Sequence, residues 1–202
     1  MGIPRRSPCL LMFGVLVLLT ASAPPAFAWG KTGHRVVATL ATNLLTPTAQ
    51  AQVIELLNPG TSLAEIATWA DEVRSSRPNT AHWHYVNIPR DASGYNAARD
   101  CRRGCVVSAI EHSLRLLQDT SKGHAARQEA LRRVVHFVAD LHQPLHVIAD
   151  DRGGNDVLLH FVGRQTNLHR LWDGDMIDHV YPNAVALYKP VHAILQTTVW
   201  QA

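Results

Sequence analysis

Apolar residues recur every three or four positions over most of the chain downstream of Trp29, which is the pattern of amphipathic α-helices. Helices are predicted at 31–45, 47–57, 62–75, 106–119, 124–142, over NLHRLWDGDMIDHV from Asn167, and from about Pro182 to the end. Two short strands are predicted in VLLHFVG and around Thr166–His169, joined by Gly163-Arg164-Gln165. The pattern therefore predicts a mainly α fold, a single helical domain with a small β-hairpin.

Local signals mark several of these boundaries. Thr46 followed by Pro47 supplies an N-cap and a proline at the first helical position. Ser62 and Glu65 have the spacing of a capping box, which predicts the start of a helix. In contrast, residues 76–104 are rich in Pro, Asn, Asp and Gly, so we expect a long ordered loop there.

The first 28 residues have the organisation of a secretory signal peptide. Arg5 and Arg6 precede an apolar run from Cys9 to Leu19, and Ala26-Phe27-Ala28 forms an A-x-A site. That run is too short to cross a bilayer, which needs about 20 residues. We expect a secreted or periplasmic protein that begins at Trp29 and has no stable membrane association.

Removal of this leader changes the charge balance. The full chain has 19 basic and 16 acidic residues, and loss of Arg5 and Arg6 leaves 17 against 16, a net charge near +1. A domain of 29–202 is long enough for a single hydrophobic core. Its weak net charge argues against a broad basic surface for polyanions, whereas its twelve histidines require an explanation.

Two cysteines remain after the leader, Cys101 and Cys105, within CRRGC. A zinc knuckle would need two further ligands nearby, and the segment offers none. In an exported protein a local disulfide is the simplest interpretation.

The segment HFVADLHQPLH places an imidazole and a carboxylate on one helix face. His136 and Asp140 are four residues apart, so their side chains point the same way one turn apart. His142 lies far around the helix, whereas His146 follows Pro144 and can turn back toward the same region. Such a pair is a common way to supply two bonds to zinc.

NLHRLWD repeats this arrangement with His169 and Asp173. One such pair is more often a surface hydrogen bond than a metal site, but two pairs in a chain with few charges favour metal binding. Trp29 fits the same interpretation, because cleavage would expose an α-amino group that can chelate a metal together with its own carbonyl oxygen. His34 is near enough in sequence to join, although Trp29 could also simply pack on the core.

The ordered motifs WGKTGHRVVA, WADEVR, HWHYVNIP, HFVADLHQPLHV, RGGNDV and NLHRLWD closely resemble the zinc-dependent S1/P1 nuclease family. The resemblance extends from Trp29 to about Asp173 and implies an α-helical domain that holds three zinc ions in a cleft. It assigns one zinc to Asp71, His84, His136 and Asp140, a second to Trp29, His34 and the shared Asp140, and a third to His146, His169 and Asp173. The family order Trp-His-aromatic selects His84 and leaves His82 in the loop or behind the ligands.

The resemblance also implies roles for residues around the metals. Arg74 would contact the phosphate, and Asn155 would orient the substrate, so that both join Asp140 in catalysis. Tyr85 stands where the family places a base-stacking aromatic residue. Asn87 replaces an aspartate that reads the base in fungal members, and Arg152 replaces an apolar pocket residue, so the base preference is open.

These inferences predict an exported endonuclease with three zinc ions that cleaves single-stranded DNA and RNA to 5′-phosphorylated products. We also expect 3′-nucleotidase activity on 3′-nucleotides, a monomer, and a domain shortened at its C-terminus relative to the family. The alternatives are a zinc-dependent phospholipase C and a non-catalytic zinc-binding exported protein. The turn Gly153-Gly154-Asn155 and the context of Trp172-Asp173 favour the nuclease.

Overall fold

The computed structural model describes residues 29–197, most of which are helical. The α-helices are α1 (Lys31–Leu44), α2 (Pro47–Leu56), α3 (Leu63–Ile66), α4 (Trp69–Glu72), α5 (Ala97–Asp100), α6 (Val106–Gln118), α7 (His124–Leu141), α8 (Asp151–Gly154), α9 (Leu168–Arg170), α10 (Met176–Val180) and α11 (Ala184–Thr197). A 3₁₀-helix spans Pro78–His84, a second spans Pro144–His146, and a π-helical turn spans Leu171–Asp175. The predicted mainly α fold is confirmed, whereas the leader 1–28 lies outside the described residues.

The hairpin pairs β1 (Leu158–Phe161) with β2 (Arg164–Asn167) in antiparallel register. The turn consists of Val162 and Gly163, which both have positive φ, as a type I′ turn requires. The second strand therefore starts earlier than the sequence predicts, because this two-residue turn is tighter than the three-residue connection expected.

The predicted helix 62–75 is in fact two short helices, α3 and α4. The capping box at Ser62 and Glu65 is present, but the helix breaks at Ala67 and Thr68. The carbonyl oxygen of Ala67 accepts a hydrogen bond from Nδ1 of His136 at 2.7 Å. This tertiary bond occupies the oxygen at the break, and no Gly or Pro in the sequence signals the interruption.

The segment 76–104 is less irregular than expected, since it contains the 3₁₀-helix Pro78–His84 and α5. Proline at the first position of a short helix costs no hydrogen bond, because the N–H there would be unpaired in any case. A loop-like composition is therefore compatible with these short helical pieces.

Helix α7 runs through the centre of the fold. It packs along α6 and contacts α1, α2, α3 and α4. One apolar cluster joins α1, α2 and α3 to Leu131, and another gathers around Val86, Val106 and Phe137. The C-terminal half of α7 is consequently covered on several sides, and its residues His136 and Asp140 are therefore buried. None of the helices within 29–197 is long and apolar enough to cross a bilayer.

Candidate metal centre

His136 and Asp140 form the middle of a buried polar cluster. Both are 0% exposed, and Nε2 of His136 lies 3.1 Å from Oδ2 of Asp140. Burial of an ionisable pair costs free energy unless further partners satisfy it. The partners come from five other parts of the chain and form, with these two residues, three groups of His and Asp ligand atoms.

The first group contains Asp71, His84 and His136, with Asp140 beside them. Nδ1 of His84 lies 3.5 Å from Oδ1 of Asp71 and 3.0 Å from Oδ2 of Asp140. Nε2 of His136 lies 3.7 Å from Oδ1 of Asp71 and 3.1 Å from Nδ1 of His84. Ligand atoms about 2.0–2.1 Å from a tetrahedral zinc ion are roughly 3.3 Å apart. The four side chains therefore have the spacing that zinc requires.

The second group contains His34, His136 and Asp140. Nε2 of His34 lies 3.3 Å from Oδ1 of Asp140, and the His34 and His136 rings stack with centroids 4.1 Å apart. Trp29 precedes this group at the start of α1, with its side chain against Gly33. Asp140 thus directs one oxygen toward the first group and the other toward the second.

The third group contains His146, His169 and Asp173. Nε2 of His169 lies 3.3 Å from Oδ2 of Asp173, and Nε2 of His146 lies 3.8 Å from Oδ1 of the same residue. The π-helical turn that carries Asp173 follows α9, which carries His169. A backbone hydrogen bond links Asp173 to the chain just before α1, which carries His34 of the second group. The N–H of Gly30 donates to the carbonyl oxygen of Asp173.

Three of the histidines are held in one tautomer by the backbone. His136, His146 and His169 each have Nδ1 next to a carbonyl oxygen, and a carbonyl can only accept, so Nδ1 carries the proton. These oxygens belong to Ala67, His84 and Gly153, at 2.7, 2.8 and 2.7 Å. Nε2 of each ring faces its group and is the nitrogen that a metal would take, as in histidines that ligate metals.

The electrostatics of the first two groups favour a charged Asp140. Burial opposes its ionisation, but the neighbouring imidazoles, His136 above all, hold the pKa of Asp140 well below its usual range. Burial likewise opposes charge on His136, yet Asp140 raises the pKa of His136 to about 9. Burial lowers the pKa of His34. Asp140 is therefore an anionic centre around which cations can gather.

In the third group, burial dominates. It raises the pKa of Asp173 to about 8 and lowers the pKa of His146 to about 4. Burial also lowers the pKa of His169, and the charge of Arg74 adds to this effect. Without a cation these side chains favour their neutral forms, whereas a bound cation would stabilise the carboxylate and the neutral imidazoles.

Several side-chain atoms of the residues in these groups are buried and lack a hydrogen-bond partner within residues 29–197. They are both ring nitrogens of His34, Nε2 of His84, and one oxygen each of Asp71, Asp140 and Asp173. Buried polar atoms without partners are rare in folded proteins and call for an explanation. A set of imidazole nitrogens and carboxylate oxygens fits zinc, so the donors match the ion that the resemblance implies.

The other residues singled out in the sequence lie close in the chain to ligand candidates. Residues 84–87 alternate, so that His84 and Val86 are buried while Tyr85 and Asn87 are exposed. Tyr85, with 37% of its surface exposed, directly follows a ligand candidate. Arg74 belongs to the same region, as its effect on the pKa of His169 indicates.

Arg152 lies within the short, irregular α8, and Asn155 follows this turn directly. Nδ2 of Asn155 donates to the carbonyl oxygen of Arg152 at 2.9 Å, and the Arg152 side chain is 78% exposed and paired with Asp156. Positive φ angles at Arg152 and Gly153 shape this turn, and a Cβ at Gly153 would lie 2.5 Å from the Leu145 oxygen. The turn thus brings the Gly153 carbonyl to His169, while the Arg152 side chain points into solvent.

Sequence reasoning missed one buried side chain of the centre. Gln143 is 0% exposed, and its Nε2 donates to Oδ1 of Asp173 at 2.6 Å. Its position in HQPLH, three residues after Asp140 and three before His146, was the available signal. Among the histidines set aside, His142 is exposed and His82 packs against Trp83, and neither belongs to the three groups.

The predicted local disulfide is confirmed, since Cys101 and Cys105 are bonded. Cys105 is buried, and the next residue, Val106, donates its N–H to the carbonyl oxygen of Tyr85 at 3.0 Å. The disulfide loop therefore abuts the extended segment that carries Tyr85.

Fold and site together define a mainly helical protein with three candidate metal-binding groups, two of which share the Asp140 carboxylate. The family described as S1/P1 Nuclease matches residues 29–201, and the chain belongs to this family. Endonuclease 2 of Arabidopsis thaliana is 37% identical over 183 residues, which cover 84% of this chain and 63% of that protein. Nuclease P1 of Penicillium citrinum is 37% identical over 153 residues, which cover 72% and 57%. Nuclease S1 of Aspergillus oryzae is 32% identical over 164 residues, which cover 77% and 57%.

The chain thus spans about three fifths of the length of the curated relatives it matches. Residues 29–201, which the family matches, include every residue of the three groups. What the relatives' names state about nuclease activity concerns those whole proteins.

Proposed function

We propose that the chain is an exported zinc-dependent hydrolase that cleaves the phosphodiester bonds of single-stranded DNA and RNA. Its products would carry 5′-phosphates, and 3′-nucleotides would be further substrates. One observation carries the proposal: three groups of His and Asp, all buried except the half-buried Asp71, lie together in a chain of the S1/P1 nuclease family, and Asp140 joins two of them. The nuclease names of the relatives give the substrate class.

The three groups would each hold one zinc ion. Asp71, His84, His136 and Asp140 form the first set, and His146, His169 and Asp173 form the third. The second set would combine His34 and Asp140 with the amino group and carbonyl oxygen of Trp29. This last assignment depends on removal of the predicted leader, because the nitrogen of Trp29 is an amine only in the cleaved chain.

When bound, such ions lower the pKa of a water molecule and neutralise charge that develops on phosphate oxygens. The chain's own contribution is to fix the ligands and keep them dry. Asp140 offers one oxygen to each of two groups, which holds those groups at a short, constant separation. Arg74, near the third group, would bind the phosphate through its planar guanidinium and stabilise the charge of the transition state.

Preference for single strands follows from the burial of the ligands. A phosphodiester can approach buried side chains more easily when its bases are unpaired, and unpaired bases can stack on an aromatic ring. Tyr85, which is exposed and directly follows His84, would supply this ring, and Asn87 would face the base. Asn155 would contact the substrate only if its side chain broke the hydrogen bond to the Arg152 carbonyl oxygen. The exposed Arg152 side chain would be available to bind a phosphate of the substrate.

The test uses a chain that begins at Trp29, purified with zinc. We expect one zinc ion for each of the three groups, cleavage of a single-stranded oligonucleotide to 5′-phosphates, and little action on the duplex. A matched chain with one additional residue before Trp29 should lose activity, because the amine is displaced. About one zinc ion per chain, hydrolysis of phosphatidylcholine instead of DNA, or zinc binding without turnover would each contradict the proposal.

A further inference from the structure

Gln143 is a fully buried amide at the end of the central helix. Its backbone N–H donates to the carbonyl oxygen of Asp140 at 3.0 Å, and its carbonyl oxygen accepts from the N–H of His146 at 2.9 Å. Its side-chain Oε1 accepts from the N–H of Leu145 at 2.5 Å. These bonds reverse the chain after α7 and point His146 back toward the third group.

The other end of the same amide binds Asp173. Nε2 of Gln143 donates to Oδ1 of Asp173 at 2.6 Å, while Oδ2 of Asp173 is buried without a hydrogen-bond partner in the described chain. This second oxygen lies 3.3 Å from Nε2 of His169. The hydrogen bond therefore fixes the rotation of the carboxylate and presents a chosen oxygen to the histidine.

A glutamine is the residue type that this position requires. Its side chain donates to a carboxylate and accepts from a backbone N–H at the same time. Glutamate has the same length and keeps the acceptor, but would bring a second carboxylate against Asp173. Methionine has a similar length and offers neither function.

We propose that Gln143 is a positioning residue that makes the third group a cation site, by orienting Asp173 and by turning His146 toward it. The inference rests on the cation centre in the proposed function and assigns Gln143 no contact with substrate. Partners that bind a metal ligand from outside typically contribute a factor of about 10–100 to metal affinity. Loss of Gln143 should therefore weaken one cation of three and leave the other two unchanged.

The experiment compares four versions of the chain that begins at Trp29: the unchanged chain, Gln143→Met, Gln143→Glu and Gln128→Met. Gln128 is the matched control, because it also lies in the α7 region and donates its amide to a backbone carbonyl, that of Leu56 at 2.8 Å. Zinc affinity is measured by titration against a competing chelator. Cobalt(II) replaces zinc in a parallel titration, so that the absorption of each site reports its ligand geometry.

We expect both Gln143 variants to bind the weakest of the three zinc ions about 10–100-fold less tightly. One cobalt spectrum of the three should change, whereas Gln128→Met should match the unchanged chain. If Gln143→Met does not fold, Gln143→Glu carries the test, since it keeps the size and the acceptor for Leu145. Three unchanged affinities in a folded Gln143 variant would overturn this inference alone. An unchanged chain that binds fewer than three cations would overturn the proposed function as well.

Discussion

Two clusters of charged and aromatic side chains share three elements, α4, the 3₁₀-helix Pro78–His84 and α7. One consists of the three His/Asp groups. The other, called here the arginine–tryptophan cluster, consists of Trp69, Arg77, Trp83, Glu129, Arg132 and Arg133. Neighbouring residues enter different clusters, because His84 follows Trp83 directly and His136 lies one turn beyond Arg133.

In the arginine–tryptophan cluster, each guanidinium group has a partner in a carboxylate or a tryptophan ring. Arg77 and Arg133 both donate to Oε1 of Glu129, at 2.7 and 2.5 Å. The Arg77 guanidinium lies 5.1 Å from the centre of the Trp69 ring, and Arg133 lies 5.0 Å from that of Trp83. Water also reaches the cluster, since the side chains of Arg77 and Glu129 are 39% and 31% exposed. Nε of Arg132 is nevertheless buried without a hydrogen bond within residues 29–197.

In the His/Asp groups, by contrast, several buried polar atoms lack a hydrogen-bond partner within residues 29–197. The side chains of His34, His136 and Asp140 are 0% exposed. Exposed or internally paired charges contribute modestly to stability, whereas a buried set without partners is costly unless something binds it. The difference separates a structural cluster from a candidate ligand site, although both contain charged residues at similar chain positions.

The largest predicted effect is that of Asp140→Asn. The amide would carry no charge toward either of the two groups that Asp140 joins, so both should lose affinity for cations. We expect nuclease activity to fall by more than the roughly hundredfold typical of residues outside the ligand set. Activity is measured on a single-stranded oligonucleotide, with zinc content determined on the same sample.

Two variants calibrate this loss. Asp119→Asn makes the same substitution at a carboxylate that is 41% exposed, and should leave activity unchanged. Arg74→Ala should cost less than Asp140→Asn, because Arg74 is proposed to act on the phosphate and not on two ions. A larger loss from Arg74→Ala would count against the shared role of Asp140.

The next effect concerns the stability of the metal-free chain as pH changes. The pKa of Asp173 is raised by burial to about 8, and Asp140 raises that of His136 to about 9. Both groups hold a proton in the folded state that the unfolded chain has released, so each lowers stability as pH rises toward its folded pKa. His146, whose pKa is lowered by burial to about 4, acts in the opposite sense and only below its unfolded value near 6.5.

The three contributions therefore combine in a defined window. Between pH 6.5 and 8, Asp173 and His136 act together, each by at most about 1.4 kcal/mol per pH unit. Below pH 6.5, His146 offsets Asp173. We expect chelator-treated protein to lose thermal stability mainly from pH 6.5 to 8, and zinc-loaded protein to lose far less. If the thermal stability of the metal-free protein did not change with pH, the opposing contributions of these groups would cancel.

The sequence alone predicts the local part of this site. Helix geometry fixes the pairs His136/Asp140 and His169/Asp173, so a spacing of four residues was sufficient to find them. The inclusion of Asp71 and His84 depended on the resemblance to a family, because they come from α4 and the 3₁₀-helix Pro78–His84, and only tertiary packing brings these beside α7. The role of Gln143 was missed for the same reason, since its partner Asp173 lies 30 residues further along the chain.

The fold shows the same limit. The periodic helices α1, α6 and α7 and the presence of a hairpin were predictable, because their patterns are local. The break at Ala67 was not, because the hydrogen bond from His136 forms only in the folded chain.

A smaller effect is predicted for Glu129→Gln. Arg77 and Arg133 would lose their shared counter-charge and repel each other, but water and the tryptophan rings would still stabilise them. We expect the free energy of unfolding to fall by about 1 kcal/mol, with zinc affinity unchanged. Chemical denaturation and zinc titration measure the two quantities separately.

This variant tests the comparison from its other side. Phe137 packs edge-on against both Trp83 and His84, so the two clusters touch. If Glu129→Gln weakened zinc binding, the arginine–tryptophan cluster would have to be counted as part of the metal centre.

The smallest effect is expected for His142→Ala. His142 lies between two ligand candidates in the sequence, but its ring is exposed and its Nδ1 donates to the carbonyl oxygen of Val138 at 2.7 Å. Because that bond is made in solvent, its loss should change stability by no more than about 0.5 kcal/mol. Zinc content and nuclease activity should be unchanged, whereas His146→Ala, four residues later and 3% exposed, should lose one zinc ion. Loss of zinc from His142→Ala would show that burial does not distinguish metal ligands from other histidines in this motif.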